Sequence, residues 1–133
     1  MAKTRKREVG DTGEGVVCRF LEQKGYRIVE RNYLKPWGEL DIVAELGEIT
    51  IFIEVKTVSH EAGGGDVTHD TSRYRPEENM HPTKVKRLHR AIQTYLLERK
   101  VPEDRQWRLD LACVFLDYTT RKARVEMLEN IVL

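Results

Sequence analysis

The chain is 133 residues long, which suits a single domain with a core of two packed layers. Its residues are 40% hydrophobic and 34% charged, with both signs mixed, as in a globular protein. No apolar run approaches the roughly 20 residues that span a bilayer, and no signal peptide is visible, so we expect a soluble cytoplasmic protein without a membrane partner. Cys18 and Cys113 lie in apolar surroundings, which favours buried thiols in a reducing compartment.

The net charge of +1 hides two basic clusters, Lys3 to Arg7 and Lys84 to Arg90. A polyanionic partner is therefore compatible with the near-neutral total, because charged patches act locally. We predict that residues 1–9 form a flexible basic leader, which either serves solubility or contacts phosphate. Residues 10–133 are predicted to form the one folded domain.

A first helix is predicted to begin near Asp11 or Thr12, which are good N-cap residues, and to run to Lys24 before Gly25. Its inward stripe consists of Val17, Cys18 and Leu21. Glu14 lies on the same stripe, one turn earlier. Its carboxylate is either a surface group stabilised by the helix dipole or a group that reaches a polar site beyond the core.

A strand is predicted from Tyr26 to Leu34, followed by a turn at Lys35-Pro36-Trp37-Gly38. Residues 37–58, WGELDIVAELGEITIFIEVKTV, then read as two alternating runs that close on Gly47-Glu48. This pattern predicts a β-hairpin with a two-residue turn.

In that register Leu46 faces Ile49 and the strands have two distinct faces. The apolar face collects Leu40, Ile42, Ala44, Leu46, Ile49, Ile51, Ile53 and Val55. The other face collects Glu39, Asp41, Val43, Glu45, Thr50, Phe52, Glu54 and Lys56. On it, Asp41 is expected directly opposite Glu54, and Glu39 directly opposite Lys56.

Like charges on directly opposed strand positions repel, so the Asp41–Glu54 pair favours a cation between the two carboxylates. Hard carboxylate oxygens suit Mg²⁺, which keeps several waters and can exchange one for a phosphate oxygen. A bound metal would activate a water and neutralise charge on the scissile phosphate. Lys56 projects to the same side and could hold that water. The alternative is a solvated ladder of surface charges.

Residues 59–81 show no periodicity and contain Gly63-Gly64-Gly65, which predicts a long loop that is either functional or disordered. His60, His69 and His81 fall in this segment or at its edge. They read as loop histidines rather than zinc ligands, since no cysteine accompanies them and their spacing fits no familiar finger.

A second helix is predicted from Pro82, which suits a first turn, to about Lys100. Its apolar stripe consists of Val85, Leu88, Ile92, Tyr95 and Leu96. Its first turns carry four cations: Lys84, Lys86, Arg87 and Arg90. These are either a solvated face or, because the helix follows the strand with the acids, a surface that binds nucleic-acid phosphates.

Residues 107–116 form a strongly apolar strand, interrupted by Asp110, which could sit at an exposed strand start or point into the site. Arg121 to Leu128 alternates and predicts an edge strand. The helix between the third and fourth strands favours a parallel crossover, whereas tight turns favour antiparallel pairing. The fold class is therefore α/β, a mixed central sheet flanked by helices.

The motifs resemble those of a known group of proteins. Asp41 followed by Glu54-Val55-Lys56 resembles the signature of the PD-(D/E)XK nuclease superfamily. A longer ordered set resembles the YraN-like family of uncharacterised bacterial proteins, relatives of the archaeal Holliday-junction resolvases. The set comprises Gly13-Glu14, Arg31-Asn32, Gly38 to Val43, Phe52 to Lys56, Lys84 with Leu88, and Arg108-Leu109-Asp110.

The resemblance implies a restriction-endonuclease-like core, helix-strand-strand-strand-helix-strand, and a metal-dependent endonuclease acting on DNA. It makes Asp41 and Glu54 the ligands of Mg²⁺ or Mn²⁺ and Lys56 the catalytic lysine. It makes Glu14 and Glu39 further acids of the catalytic site. The resolvase relatives act as dimers on branched DNA, so a homodimer is implied, although the sequence shows no interface.

Two other functions compete with the nuclease. The fold could serve as a catalytically silent module that binds nucleic acid or a protein partner. It could also be a purely structural domain whose hairpin acids face solvent. The family is known by sequence rather than by demonstrated chemistry, so the resemblance speaks more directly to fold than to activity.

Overall fold

A computed structural model describes residues 5–60 and 81–131 of the chain. The elements are α1 (Arg5–Gln23), β1 (Arg27–Lys35), β2 (Gly38–Leu46), β3 (Ile49–His60), α2 (Pro82–Glu98), β4 (Gln106–Asp117) and β5 (Lys122–Leu128). The residues of the leader before Arg5, and residues 61–80 of the predicted loop with their glycines and His69, lie outside the described part.

The five strands form one sheet in the order β1-β2-β3-β4-β5. Strands joined by turns pair antiparallel, whereas β3 and β4 pair parallel because α2 carries the chain across the sheet. The predicted α/β class and mixed sheet are confirmed. No helix in the described residues combines the length and apolarity that a membrane crossing needs.

The sheet separates two cores, one beneath each helix. The α1 core contains Val17, Cys18, Leu21, Ile42, Ala44, Ile51, Ile53, Ala112, Val114 and Leu116. The α2 core contains Tyr33, Leu40, Val43, Phe52, Leu88, Ala91, Ile92, Tyr95 and Leu109. The hairpin face predicted to carry the acids is therefore largely buried as well, and only its end remains open for a site.

The predicted start of the first helix is wrong. α1 begins at Arg5 rather than near Asp11 or Thr12. Thr12 does not cap the helix, because its hydroxyl donates a hydrogen bond of 2.9 Å to the carbonyl of Glu8 one turn earlier. Part of the predicted leader is thus helical.

The predicted end of that helix is confirmed at Gly25, which adopts a φ of 92°. The Tyr26 N–H donates to the Leu21 carbonyl and the Gly25 N–H to the Glu22 carbonyl, each at 3.0 Å. This is the Schellman arrangement, in which a left-handed residue lets two terminal carbonyls find donors.

The loop after the hairpin begins later than predicted. Ser59 and His60 belong to β3, where they pair with Leu116 and Asp117 of β4. At the other end His81 caps α2, since its Nδ1 accepts a 3.2 Å hydrogen bond from the Thr83 N–H. α2 starts at Pro82 as predicted and ends at Glu98, slightly before Lys100.

Asp110 occupies neither of the positions that the sequence suggested. Its side chain is fully buried in β4 and accepts hydrogen bonds from Arg108 Nε at 3.1 Å and from the Asn130 N–H at 2.9 Å. The Ile131 N–H donates to the Leu109 carbonyl beside it. Asp110 thus anchors the C-terminal segment to the sheet, and its charge is compensated there.

Replacement of Gly13 by alanine tests how closely α1 approaches β3. A Cβ at Gly13 would lie 2.0 Å from the Thr57 hydroxyl oxygen and 3.0 Å from its Cβ, whereas one at Gly15 would meet nothing within 4 Å. We expect Gly13→Ala to lower the free energy of unfolding by about 1–3 kcal/mol, measured by urea denaturation. Gly15→Ala is the matched control and should be neutral or stabilising by up to about 1 kcal/mol. Equal effects at the two positions would contradict this close contact.

Candidate active site

The hairpin follows the predicted register, from Leu46↔Ile49 to Ile42↔Ile53. The pairing ends there, one position before the two acids. Asp41 and Glu54 therefore do not face each other as a ladder pair, and the predicted opposition of Glu39 with Lys56 is wrong too. On its other side β2 stays paired with β1, where Glu39 pairs with Leu34.

The β1–β2 ladder also has a gap at Asp41. In the β1–β2 ladder, Arg31 pairs with Ile42 and Tyr33 pairs with Leu40, but Asp41 pairs with no residue of either neighbouring strand. Asn32, the β1 residue between those two, has a positive φ of 54°. Such interruptions break the alternation of side chains and are common beside active sites. Leu40 consequently packs under α2, and its predicted place with Ile42 on the other face is wrong.

The carboxylate of Asp41 takes over a hydrogen bond that the ladder gives up. Its Oδ2 accepts from the Val55 N–H of β3 at 2.8 Å. The backbone donor would otherwise lack a partner at the point where the strands part. This bond points the carboxylate of Asp41 toward the strand that carries Glu54 and Lys56.

The electrostatic state of Asp41 is unusual. Burial, together with the negative charge of Glu54, raises its pKa to about 8, although the hydrogen bond from Val55 acts in the opposite direction. Burial also raises the pKa of Glu14, with contributions from Glu39 and Glu54 and an opposing one from Arg31. The predicted acids therefore lie close enough to affect one another, and their mutual repulsion favours a proton or a cation.

In the part of the chain that the structure describes, the ion-pair partner of Glu54 comes from α2. Lys84 Nζ lies 2.8 Å from Glu54 Oε1, and Glu54 is only 9% exposed. Lys84 was predicted as a phosphate-binding residue; the structure makes it a partner of the acid, and its role toward phosphate stays a prediction. Lys84 lies in the first turn of α2, which begins at Pro82.

Asn32 is a site residue that the sequence reasoning missed. With the amide oriented so that its nitrogen faces the acceptors, the nitrogen lies 3.1 Å from Glu14 Oε1 and 3.1 Å from Glu39 Oε1. Arg31 NH2 adds a longer contact to Glu14, at 3.8 Å. An asparagine within a strand pattern was the available signal, since asparagine tolerates the left-handed conformation that interrupts a strand.

Adjoining grooves bring the predicted residues together. The first, of about 650 Å³, is lined by Glu14, Asp41, Glu54, Lys56 and Lys84 among others. The second, of about 400 Å³, contains Glu39, Asp41, Glu54, Lys84 and Arg87. Lys86 and Arg90 lie in a third groove, so all nine predicted residues line a depression made of three grooves that share lining residues.

The donor set fits a hard divalent cation held by two carboxylates. Within residues 8–60 and 81–131, no group of three His, Cys, Asp or Glu side chains is arranged to hold a metal ion. A cation at Asp41 and Glu54 would therefore complete its shell with water or substrate oxygens, which is the manner typical of Mg²⁺.

A five-stranded mixed sheet between two helices, with clustered acids at an interrupted hairpin, defines an α/β domain of the restriction-endonuclease-like class. The chain belongs to the uncharacterised protein family UPF0102, the YraN-like family, whose profile matches residues 13–114. That family is a member of the PD-(D/E)XK-like nuclease superfamily.

Curated relatives match almost the whole chain. A UPF0102 protein of Moorella thermoacetica is 40% identical over 130 residues, covering 98% of both chains. One of Alkaliphilus oremlandii is 32% identical over 124 residues, covering 93% of this chain and 97% of the relative. One of Beutenbergia cavernae is 38% identical over 126 residues, covering 95% and 97%. These names state a family and no activity.

Replacing Asp41 tests its electrostatic state. A carboxyl whose pKa rises on folding stabilises the protein below its unfolded pKa, and that stability is lost as the pH rises through about 8. Asp41→Asn keeps an oxygen for the Val55 N–H but cannot ionise. We expect the free energy of unfolding of the variant, relative to wild type in EDTA, to increase between pH 4 and pH 8 by roughly 2 kcal/mol or more.

The matched control for this comparison is Glu103→Gln, in the exposed loop before β4. Its difference from wild type should stay flat over the same pH range. A flat difference for Asp41→Asn as well, measured by urea denaturation at each pH, would contradict the buried, repelled carboxyl.

Proposed function

We propose that the protein is a metal-dependent endonuclease that hydrolyses phosphodiester bonds in DNA, with branched DNA as a candidate substrate. The observation that carries this proposal is the meeting of Asp41, Glu54 and Lys56 in one groove at the interrupted end of the hairpin. Two acids on neighbouring strands can hold a divalent cation, and a lysine two residues after one of them can hold a water beside it, which suits phosphodiester hydrolysis. The family relationship supports the same chemistry.

Asp41 and Glu54 would hold Mg²⁺ or Mn²⁺. The cation, when bound, supplies an activated water and neutralises charge on the scissile phosphate. The Val55 N–H orients Asp41 for this role, since it fixes one carboxylate oxygen at 2.8 Å and leaves the other for a ligand. Glu14 and Glu39 would hold waters at the edge of the site, and the Asn32 amide, which contacts both carboxylates, would orient them.

Lys56 would position the attacking water and stabilise the transition state. It lies on β3 two residues beyond Glu54, so both side chains leave the same face of the strand. The cations of α2, Lys84, Lys86, Arg87 and Arg90, would bind backbone phosphates. Such contacts position DNA without reading its sequence.

A second function, a silent module that binds nucleic acid or protein, has one observation in its favour. Lys84 already neutralises Glu54 at 2.8 Å. If that ion pair persists when divalent metal is present, the site keeps the acids as a structural feature and the fold acts only by binding. Metal titration combined with a cleavage assay therefore separates the two functions.

Conservative substitutions of the acids test the nuclease. We expect Asp41→Asn and Glu54→Gln to lower cleavage of linear, flapped and four-way DNA in Mg²⁺ or Mn²⁺ by about 100-fold or more. They should also lower metal affinity in a calorimetric titration. Asp104→Asn, an exposed acid in the loop before β4, is the control that should change neither quantity.

Lys56→Ala separates metal binding from turnover. It should bind metal like wild type and yet lose cleavage by about 100-fold or more, because the lysine acts on water and transition state. Lys122→Ala, an exposed lysine at the start of β5, should leave both unchanged. Full cleavage by Lys56→Ala would refute the assigned role, and metal binding without any cleavage by wild type would favour the silent module.

A further inference from the structure

A tryptophan–arginine stack lies at the far end of the groove system. The guanidinium carbon of Arg90, on α2, lies 4.3 Å from the centre of the Trp37 ring, in the turn between β1 and β2. We call these two residues the stacking platform. Both are at least partly exposed, and Leu34 beside them is 72% exposed.

The platform is connected to the acids by shared walls. Its groove, of about 610 Å³, contains Lys35, Lys86, Arg87 and Arg90. The neighbouring groove, which contains Asp41 and Glu54, shares Gly38, Glu39 and Arg87 with it. A strand whose phosphate lay at the two acids could therefore continue along the depression to the platform.

The platform is held in place by close backbone packing. A Cβ on Gly38 would lie 2.7 Å from the carbonyl oxygen of Arg87, so the turn that carries Trp37 rests directly against α2. Only glycine permits this approach at that distance. Trp37 and Arg90 therefore come from two elements in direct contact, and the stack is a fixed feature of the site.

Trp37 also carries an unsatisfied polar group. Its Nε1 is the one buried side-chain nitrogen or oxygen, among the residues that the structure describes, that has no hydrogen-bond partner. A buried donor without an acceptor is unfavourable. This N–H is covered by protein, so a ligand would contact the face of the indole ring rather than its nitrogen.

The chemistry of the platform fits a nucleotide. Planar indole and guanidinium groups stack on the faces of bases, and the adjoining Lys86 and Arg87 complement phosphate charge. In the interior of a duplex both faces of each base are covered by its neighbours. An unpaired base can offer a face to the protein.

We propose that the stacking platform, Trp37 and Arg90, binds an unpaired base of a DNA strand whose backbone continues toward Asp41 and Glu54. The substrate class would then be DNA with single-stranded nucleotides beside the cleavage point, such as a flap or the open centre of a branched structure. The placement of the cleavage point rests on the proposed nuclease function. The base-binding site itself does not.

Binding without metal tests the platform independently of cleavage. Fluorescence anisotropy in EDTA would compare a labelled single-stranded oligonucleotide with a blunt duplex of the same sequence. We expect wild type to prefer the single strand, and Trp37→Leu to weaken single-strand binding by about 10-fold while changing duplex binding little. Trp37→Phe, which keeps an aromatic face, should retain most of the affinity.

Arginine controls separate stacking from charge. Arg90→Ala should weaken single-strand binding by a similar factor. Arg124→Ala removes an arginine that also lies over a ring, 4.4 Å from the centre of Phe115, but at the β5 edge of the sheet, opposite the β1 edge next to Trp37. It should leave single-strand binding unchanged, and an equal loss for Arg124→Ala would overturn the site.

Intrinsic fluorescence provides the direct readout. The chain has two tryptophans, and Trp107 packs against Phe52 in the α2 core. Stacking should quench wild-type emission on addition of single-stranded DNA, and Trp37→Leu should lose the quench. Unchanged binding by Trp37→Leu with native circular dichroism, or equal affinity of wild type for both DNAs, would overturn the proposal. If wild type cleaved no DNA but still bound single strands in this way, the proposed base-binding site would be supported although the nuclease function would not.

Discussion

The hydrogen bond from the Val55 N–H to the carboxylate of Asp41 is the contact on which the geometry of the acidic site depends. It forms because the hairpin ladder stops at Ile42 and Ile53 and leaves a backbone donor without a carbonyl partner. The side chain that replaces the carbonyl is thereby fixed between two strands. The same hydrogen bond therefore gives the backbone donor a partner and orients the acid.

The site gathers acids that repel one another, and its stability depends on groups from several elements. Lys84 of α2 contacts Glu54, while Asn32 of β1 bridges two further acids. Asp41 has a backbone donor, but no basic side chain of the described residues forms an ion pair with it, and burial with the charge of Glu54 raises its pKa. The charges of the outer acids are thus compensated, whereas in the described part of the chain that of Asp41 is not. Such a cluster is well suited to bind a cation, and we therefore propose metal-dependent chemistry there.

Local sequence patterns predicted most of the framework. Alternation with a two-residue turn predicted the register from Leu46↔Ile49, since a tight turn leaves little freedom for slippage. The glycine at position 25 predicted the end of α1, and in the structure it adopts the left-handed conformation. The predicted start of α1 was wrong. Threonine suits an N-cap, but it also fits inside a helix when its hydroxyl donates to the carbonyl one turn earlier, as that of Thr12 does. Capping preference alone cannot distinguish these two states.

The sequence by itself determined the class of fold, the family motifs and the presence of two acids and a lysine on one hairpin, because these depend on neighbours along the chain. Tertiary structure decided that Leu40 packs under α2, that Lys84 contacts Glu54 and that Asp110 anchors the C-terminal segment. Each of these depends on an interruption of β2 or on a partner far away in sequence. Side-chain alternation predicts which face a residue takes only while the ladder continues, and the candidate site lies where it ends.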